Sequence, residues 1–427
     1  MTTTTNNEQK KLNFSSEREQ SQACLNSAEH EKNQGRKVLN VPNLRFPEFQ
    51  GEWEKCTLED VINFSTTRVN SSELNKDNYV STENMLQDYQ GIVKAKSVPE
   101  DVNVVSFSCG DVLISNIRPY LKKVWKATFN GGCSSDVFVL KANDNIESDY
   151  LHYVIANDKF INFVMSGTKG VKMPRGDKKQ METYSLSLPQ IQEQHKIARL
   201  LSLLDERIAT QNKIIDKLQS LIKGLNDSLY AQYGGKVLTS FAELGTSYSG
   251  LSGKSAQDFG SGKPFITYLN VYSNNVINES DFQYVAIKDG EKQNVAEYGD
   301  VLFTLSSETP EEVGIGSVYL GKEKVYLNSF CFGIHITNME VAFPPYLSYY
   351  VSLTAFRKFI YPYAQGSTRF NLCKADFEKA SIKLPTLENQ KRIYSILSHI
   401  DSKIETEIQM LNLYNSQKQY LLRQMFV

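Results

Sequence analysis

The chain contains one stretch twice, and this repeat restricts the folds that are open to it. Leu188-Pro189 recurs 196 residues later as Leu384-Pro385. After this dipeptide, seven positions within 17 residues are identical in both copies without a gap. They are Gln194, Ile197, Leu201, Ser202, Asp205, Ile208 and Thr210 in the first copy and Gln390, Ile393, Leu397, Ser398, Asp401, Ile404 and Thr406 in the second. A match of this density indicates an internal duplication.

Both copies have the hydrophobic spacing of a long helix that pairs with another helix. Residues three and four apart follow the a and d positions of a heptad pattern. They are Leu201, Leu204, Ile208, Gln211, Ile215, Leu218, Ile222, Leu225 and Leu229, then Leu397, Ile400, Ile404, Glu407, Leu411, Tyr414, Lys418, Leu421 and Met425. A helix of roughly 40 residues would be about 60 Å long. We expect the two helices to pair with each other; the alternative is that each covers the core of its own domain.

One polar residue stands at the same place in each apolar stripe. Gln211 in the first stripe corresponds to Glu407 in the second. If the helices pair antiparallel about a pseudo-twofold axis, these two side chains meet near that axis. A polar pair in such a seam specifies the register of the helices. We hypothesise that Gln211 and Glu407 have this role.

Charge and cysteine content exclude several classes of protein. The 47 Lys and Arg residues balance 48 Asp and Glu residues, so nucleic-acid binding must come from local patches. The six cysteines are scattered without a C-x-x-C pair, which argues against a disulfide framework or a zinc site. The sequence has no apolar run of about 18 residues and no signal-peptide core. We expect a soluble cytoplasmic protein with no membrane contact.

The repeat divides the chain into alternating domains and helices. We expect a polar, flexible lead-in over residues 1–40, with an extended strap after it that opens the first domain. The predicted segments that follow are a first domain at 41–187, a long helix at 188–233, a second domain at 234–383 and a second long helix at 384–427. Short β-like runs at 102–107, 111–115 and 136–140, followed by a helical stretch at 149–165, predict an α+β fold for each domain.

The two domains repeat the same order of elements with weaker identity. Gly110-Asp-Val-Leu113 recurs as Gly299-Asp-Val-Leu302. We also align Tyr79-Val-Ser-Thr with Tyr268-Leu-Asn-Val, and the helical stretch of the first domain with residues 346–359. The long helices are the more similar parts of the chain and the domains the less similar parts. This indicates a shared scaffold that displays two modules with different targets.

In these features the chain resembles the specificity subunits of type I restriction–modification systems. The residues that carry the resemblance are the two Leu-Pro helix segments, the two Gly-Asp-Val-Leu segments and the two Gly-rich loops at 167–176 and 366–370. The resemblance covers residues 41–427. It implies two target recognition domains separated by two long helices that form an antiparallel coiled coil.

The resemblance also implies a non-catalytic subunit that binds double-stranded DNA. Each recognition domain would bind one half of a bipartite, asymmetric site. The coiled coil would dock two modification subunits, which are adenine methyltransferases, and the complex would recruit restriction subunits that translocate DNA. S-adenosylmethionine, ATP and Mg would belong to those partner subunits, and we expect no cofactor in this chain.

Two basic clusters in the first domain are candidate DNA contacts. The loop after its helical stretch carries Lys169, Lys172, Arg175, Lys178 and Lys179. A second cluster, beside Tyr120 and Trp125, carries Arg118, Lys122, Lys123 and Lys126. Lys and Arg side chains neutralise phosphates, and flexible glycines let a backbone approach the duplex. The alternative for both clusters is a solvated surface.

Fewer candidates occur in the second domain. Arg369 follows a Gly-Ser turn, and Asn371 comes two residues later. Arg pairs with the O6 and N7 atoms of guanine, and Asn pairs with adenine. Lys254 and Lys263 lie in a Gly- and Ser-rich stretch and are further candidates. The alternative for Arg369 is a structural capping role.

Two other functions compete with DNA recognition. A self-contained DNA methyltransferase is suggested by Phe343-Pro-Pro-Tyr346, but that motif needs a polar first side chain, and the Pro-Pro pair is better explained as the start of a helix. Gly314-Ile-Gly316 alone is a weak cofactor-loop signal. The second competing function is a coiled-coil scaffold without a DNA role.

Overall fold

The computed structural model of the chain describes residues 40–168, 170 and 172–427. They divide into two compact units, of which the first comprises the described residues up to Arg207 with Tyr414–Val427 and the second comprises Ile208–Leu413. The predicted flexible lead-in lies outside the described residues except for its last residue. The predicted segment boundaries stay predictions. Within the described ranges, no helix combines the length and the hydropathy that a membrane crossing requires.

The first unit contains two small four-stranded sheets, one antiparallel and one mixed, and a set of short helices. Its strands are β1 (Glu54–Thr57), β2 (Ile62–Phe64), β3 (Arg68–Asn70), β4 (Tyr79–Val80), β5 (Asn103–Phe107), β6 (Val112–Ser115), β7 (Val124–Lys126), β8 (Gly131–Cys133), β9 (Val137–Ala142) and β10 (Ser185–Leu188). Its helices are α1 (Leu58–Val61), α2 (Ser148–Ile155), α3 (Asp158–Ser166), α4 (Lys178–Glu182) and the beginning of the long helix α5 (Ile191–Tyr233). The sheet orders are β2-β9-β6-β7 and β3-β5-β8-β4, and β1 pairs with β10.

Strand β6 forms the centre of this unit because both of its faces are buried. Val112 and Ile114 pack in one core cluster with Tyr150 and Leu151 of α2. Leu113 points to the opposite face and packs in a second cluster that includes Trp125. A strand covered on both faces is typically a continuous apolar run, as this one is.

The second unit follows the same plan. Its strands are β11 (Val237–Thr239), β12 (Gly245–Ser249), β13 (Phe259–Ile266), β14 (Gln283–Val285), β15 (Val301–Thr304), β16 (Ser306–Ser307), β17 (Gly316–Val318), β18 (Tyr326–Leu327), β19 (Cys331–Ile336), β20 (Ala364–Gln365), β21 (Phe370–Leu372) and β22 (Ile382–Leu384). Its helices are the end of α5, α6 (Phe241–Leu244), α7 (Tyr268–Ser273), α8 (Pro344–Tyr350), α9 (Thr354–Ile360), α10 (Lys374–Lys379) and the beginning of the long helix α11 (Leu387–Gln424). The sheet orders are β12-β19-β15-β17, β14-β13-β18 and β16-β21-β20, and β11 pairs with β22.

A buried glutamine joins each domain to the start of its long helix. Gln194 accepts a hydrogen bond from the backbone N–H of Glu147 at 2.8 Å and donates to the carbonyls of Asn145 at 3.1 Å and Pro189 at 2.9 Å. Gln390 makes the same three bonds in the second unit, to the N–H of Phe343 and the carbonyls of Val341 and Pro385. The two glutamines therefore bond to equivalent backbone atoms, and the duplication includes the contact that attaches each domain to its long helix.

A tyrosine–aspartate hydrogen bond further along each long helix is also repeated in the two units. The Tyr153 hydroxyl on α2 donates to Asp205 of α5 at 2.8 Å. In the second unit the Tyr349 hydroxyl on α8 donates to Asp401 of α11. Both aspartates belong to the identical positions of the repeat. Their identity therefore reflects a contact between each domain and its helix.

The segment before β1 is an extended strap without regular secondary structure, as predicted. Arg45 donates two hydrogen bonds of 2.8 Å to the buried carboxylate of Glu193, at the start of α5. The backbone N–H of Leu44 donates to the carbonyl of Gln424, at the end of α11, at 2.9 Å. The strap thus binds one end of each long helix within the first unit.

Within each unit the two long helices run antiparallel, which confirms the predicted fold class. In the first unit, Leu201 near the start of α5 packs in one cluster with Leu421 and Met425 near the end of α11. In the second unit, Leu229 near the end of α5 packs with Ile393 and Leu397 near the start of α11. The predicted a and d positions are buried or half-buried along both helices.

The polar residues of the seam contact each other in the second unit. The Nε2 group of Gln211 donates to the carbonyl oxygen of Glu407 at 3.1 Å and to its carboxylate. Lys403 pairs with the same carboxylate from the preceding turn. These two bonds hold the pKa of Glu407 below its usual value. The role of this pair in setting the register stays a prediction.

One detail of the sequence alignment was wrong. Tyr79 lies in β4, which pairs in parallel with β8, whereas Tyr268 begins helix α7. In the second unit the strand that pairs in parallel is β13, whose partner is β18 and whose last residue is Ile266. Val80, the last residue of β4, therefore corresponds to Ile266. The similar residues around the two tyrosines misled the alignment because local sequence does not record which strand pairs with β8 or β18.

The single helical stretch predicted at 149–165 is two helices, α2 and α3. The chain turns at Asn157, whose side chain caps α3 by accepting a hydrogen bond from the N–H of Lys159 at 3.0 Å. The second unit has the same break between α8 and α9. Helix α8 begins at Pro344, so the Pro-Pro pair starts a helix, as expected.

We predict that Gln194→Ala destabilises the protein by about 2 kcal/mol or more, because it leaves buried backbone groups of the loop before α2 without partners. Urea unfolding of the purified protein measures this loss. Gln192→Ala is the matched control, since Gln192 is exposed on the same helical turn. Equal stability of the two variants would contradict the role assigned to Gln194.

We also predict that Gln211→Leu and Glu407→Leu are not additive. Each single substitution leaves a polar partner facing leucine and lowers the urea midpoint, whereas the double variant replaces the pair by an apolar contact and recovers the midpoint. Gln219→Leu, at an exposed position of α5, serves as the control. Additive losses would show that the two side chains do not act as a pair.

Candidate nucleic-acid interface

In the first unit, a turn and a loop from distant parts of the sequence meet at the end of β6. The N–H of Arg118 donates to the carbonyl of Pro174 at 2.8 Å, and the N–H of Gly176 donates to the carbonyl of Asn116 at 2.8 Å. Arg118 has a left-handed backbone conformation with φ of 51°. Non-glycine residues seldom adopt this conformation, and functional turns are among the places where they do.

This junction brings three of the predicted basic residues together. Arg118 follows β6, and Arg175 lies opposite Ile117 in an isolated β-bridge. Lys123 donates from its Nζ to the carbonyl of Thr82, after β4, at 2.5 Å. Burial lowers the pKa of Lys123, and the nearby charge of Arg118 lowers it further, while Glu83 opposes them. The result is a compact positive site with two acidic neighbours, Glu83 and Asp136.

Several of the predicted DNA contacts in this unit are also held by intramolecular partners. Arg175 donates to Asp136 at 2.9 Å, and Lys122 forms an ion pair with Asp158 at 2.8 Å. Lys178 lies on α4, 4.7 Å from the centre of the Phe64 ring. A charge that is already paired must exchange partners to bind a phosphate.

The remaining candidates of the basic loop have different positions. Lys172 is exposed in the loop, and Lys179 is exposed on α4. Lys169 lies outside the described residues. DNA contact by each of these side chains stays a prediction.

A cleft beside β4 adds residues that the sequence did not single out. Its volume is about 290 Å³, and it is lined by Tyr79, Glu83, Asn84, Lys94 and Lys96, among others. Glu83 also faces Lys123, so this cleft adjoins the positive site. Lys94 and Lys96 were missed because they lie in a loop without a glycine-rich or clustered basic pattern.

The second unit has the same junction at the end of β15, with different side chains. The N–H of Leu372 donates to the carbonyl of Leu305 at 2.8 Å, which matches the bond between Gly176 and Asn116. Asn371 lies opposite Ser306, as Arg175 lies opposite Ile117. Asn371 and Arg175 are therefore equivalent positions, 196 residues apart in the sequence.

Arg369 is held beside this junction. Its Nε group donates to the Ser306 hydroxyl oxygen at 3.1 Å. The Tyr268 hydroxyl at the start of α7 donates to the carbonyl of Ser306 at 2.7 Å. Arg369, immediately before β21, and Asn371, on β21, are both exposed, so the two side chains predicted to contact bases lie within three residues of each other.

The other two candidates of the second unit have contrasting environments. Lys254 is 5% exposed, and its Nζ donates to the Ala286 carbonyl and to Glu291, both at 2.7 Å. The bond from Lys254, with those from the Lys288 N–H and the Gln293 side chain, lowers the pKa of Glu291 to about 2, so Lys254 is committed to a structural ion pair. Lys263 is exposed on β13, next to glycines with positive φ.

Phe343, at the start of the segment that suggested a methyltransferase, makes contacts that attach its domain to α11. The N–H of Phe343 donates to Gln390 at 2.8 Å, and its ring packs edge-on against Tyr394 with centroids 5.5 Å apart. In the part of the chain that the structure covers, no group of three or more His, Cys, Asp or Glu side chains is arranged to hold a metal ion.

Comparison with a family model gives two matches in the chain. The family is the type I restriction modification DNA specificity domain, and the matched residues are 50–220 and 243–413. Each match contains one domain with most of a neighbouring long helix. The two matches together span more than half of the chain.

Curated relatives include specificity subunits of type I restriction enzymes. The chain is 28% identical over 126 residues to the EcoDI specificity subunit of Escherichia coli, a match that covers 30% of this chain and 28% of that protein. It is 26% identical over 415 residues to the putative MjaX specificity subunit of Methanocaldococcus jannaschii, which covers 86% of this chain and 91% of the relative. The chain thus spans less than a third of the first of these relatives and most of the second.

A solved structure has the same fold. It concerns complex assembly and conformational transition of the type I R-M system, and it superposes with a TM-score of 0.55 at 18% identity. The match covers 87% of this chain and 96% of that chain. From the two family matches, the chain belongs to the type I restriction modification DNA specificity domain family.

Proposed function

We propose that the chain is the sequence-specificity subunit of a type I restriction–modification complex. Each unit would bind one half of a bipartite, asymmetric site in double-stranded DNA. The observation that carries this proposal is the repeated junction, which presents Arg118 and Arg175 in one unit and Arg369 and Asn371 in the other. Arginine and asparagine are the side chains that pair with guanine and adenine edges in the major groove.

Different side chains on one scaffold explain why the two half-sites would differ. The attachments through Gln194 and Gln390 are the same in both units, whereas the exposed residues at the junctions are not. Base contacts determine specificity and phosphate contacts determine position. Two modules of this kind therefore support a site with two unlike halves.

The long helices support a role in binding protein partners. Apolar side chains remain exposed on both, and they include Leu203, Ile214 and Leu221 on α5 and Leu413 and Tyr420 on α11. Exposed apolar residues on helices already paired through another face favour further association. We propose two modification subunits as the partners on the helices, with restriction subunits joining the complex through them.

The chemistry of the complex is assigned to those partners. We propose that S-adenosylmethionine is bound by the modification subunits, and ATP and Mg by the restriction subunits. This chain would supply recognition and scaffolding without a catalytic group. Since Arg175, Lys122 and Lys254 are held by internal ion pairs, the chain alone would bind DNA weakly and would need its partners to enclose the duplex.

Exchange of the first domain tests this function. Residues 53–187 are replaced by the corresponding domain of another specificity subunit, chosen to keep a tyrosine at the position of Tyr153 so that its bond to Asp205 survives. We expect the methylated motif of the reconstituted complex to change in one half only, because the other unit is untouched. The motif is read by sequencing methylated DNA.

A matched exchange of residues 234–383, with a tyrosine kept at the position of Tyr349, should change the other half. The two exchanges together assign each half-site to its unit. A motif that changed in both halves after either exchange would contradict independent recognition by the two domains.

A further inference from the structure

The two junctions differ in chemistry at two equivalent positions, both of which are exposed in the second unit. The first pair of equivalent positions is found by counting from Val80 and Ile266, the last residues of β4 and β13, which pair in parallel with β8 and β18. Four residues after each comes a buried asparagine, Asn84 or Asn270. The residue before the asparagine is Glu83 in the first unit and Leu269 in the second, and Leu269 is 68% exposed.

The second correspondence follows from a backbone hydrogen bond at the start of each turn. The N–H of Asn116 donates to the carbonyl of Asp136 at 2.9 Å, and the N–H of Leu305 donates to the carbonyl of Phe330 at 2.8 Å. Asp136 in the first unit therefore corresponds to Phe330 in the second. Phe330 is 60% exposed.

Leu269 and Phe330 belong to segments that are bonded to the strand end beside Arg369. Leu269 follows Tyr268, whose hydroxyl donates to the carbonyl of Ser306 at 2.7 Å. Phe330 precedes Cys331, which lies opposite Thr304 in the ladder between β15 and β19. Arg369 donates to the hydroxyl oxygen of Ser306 at 3.1 Å. The stretch from Thr304 to Ser306 thus bonds to the Arg369 side chain, to the backbone carbonyl of Phe330 and to Tyr268, the neighbour of Leu269.

An apolar patch next to an exposed arginine and asparagine has a specific complement in duplex DNA. The major groove is lined by polar base edges, and the apolar group that it presents is the C5-methyl group of thymine. The chemistry of the neighbours therefore favours DNA as the occupant of the patch.

We infer that the second unit recognises thymine methyl groups in its half-site through Leu269 and Phe330. Arg369 and Asn371 contact polar base edges or phosphates beside them. The first unit, with Glu83 and Asp136 at the equivalent positions, recognises its half-site by polar contacts instead. This inference rests on the proposed DNA-specificity function.

The test is equilibrium binding of the reconstituted complex, with its modification subunits, to duplexes that carry the recognised site. Thymines of the half-site assigned to residues 234–383 are replaced one at a time by deoxyuridine, which removes only the methyl group. Burial of one methyl group corresponds to about a fourfold change in affinity. We expect at least one replacement to weaken binding by about this factor, and replacements in the other half-site to serve as an internal reference.

Protein variants connect that effect to the patch. Leu269→Ala with Phe330→Ala should abolish the difference between thymine and deoxyuridine at the sensitive position. Leu238→Ala is the matched control, since Leu238 is a leucine of the same unit with 67% exposure on β11. It should leave the difference intact.

The outcomes separate this inference from the function on which it rests. Selective binding that is insensitive to deoxyuridine overturns the thymine contact and leaves the specificity function standing. Loss of complex assembly in the double variant, without DNA present, shows that the patch binds a protein and also overturns the inference. Absence of any sequence-selective binding overturns both.

Discussion

The buried hydrogen bonds of Gln194 and Gln390 determine how each domain is attached to a long helix. Each glutamine satisfies three backbone groups that would otherwise be buried without partners. Unpaired buried polar groups are costly, so the attachment has one favoured geometry. The bonds from Tyr153 to Asp205 and from Tyr349 to Asp401 fix the same attachment at a second point. Two points of attachment make the orientation of each domain on its own helix definite.

Modular recognition requires that each domain be attached in a fixed way and that its exposed contact residues be free to differ. The core strands β6 and β15 carry the same alternation of buried residues in both units. Beyond the ends of these strands the side chains diverge, from Arg118, Arg175 and Asp136 to Arg369, Asn371 and Phe330. A duplicated scaffold can therefore present two unlike contact surfaces without any change in the core.

The identities between the two copies could be found from sequence because they serve packing and attachment. Gln194 and Asp205 make the bonds just described, and Ile197 and Leu201 are buried in the core of the first unit. Heptad spacing predicted the helix pairing for the same reason, since buried positions recur at a fixed period. The fold was therefore accessible to sequence reasoning.

The candidate interface was less accessible, for physical reasons that differ from residue to residue. Lys254 looked like a free cation in a Gly-rich stretch, but its charge is neutralised by Glu291, which is distant in sequence. Leu269 was hidden because Tyr268 was aligned with Tyr79, although it begins a helix. Phe330 gave no periodic signal, because its exposure depends on a turn held by Leu305. Loop conformation and long-range ion pairs decide these cases.

The most direct test of sequence-specific recognition is a genome-wide map of N6-methyladenine in cells that contain active modification subunits, with and without this gene. The account predicts that methylation disappears at one split, asymmetric motif when the gene is removed and returns when it is restored. An unchanged map in such cells would contradict the assignment of sequence specificity to this chain.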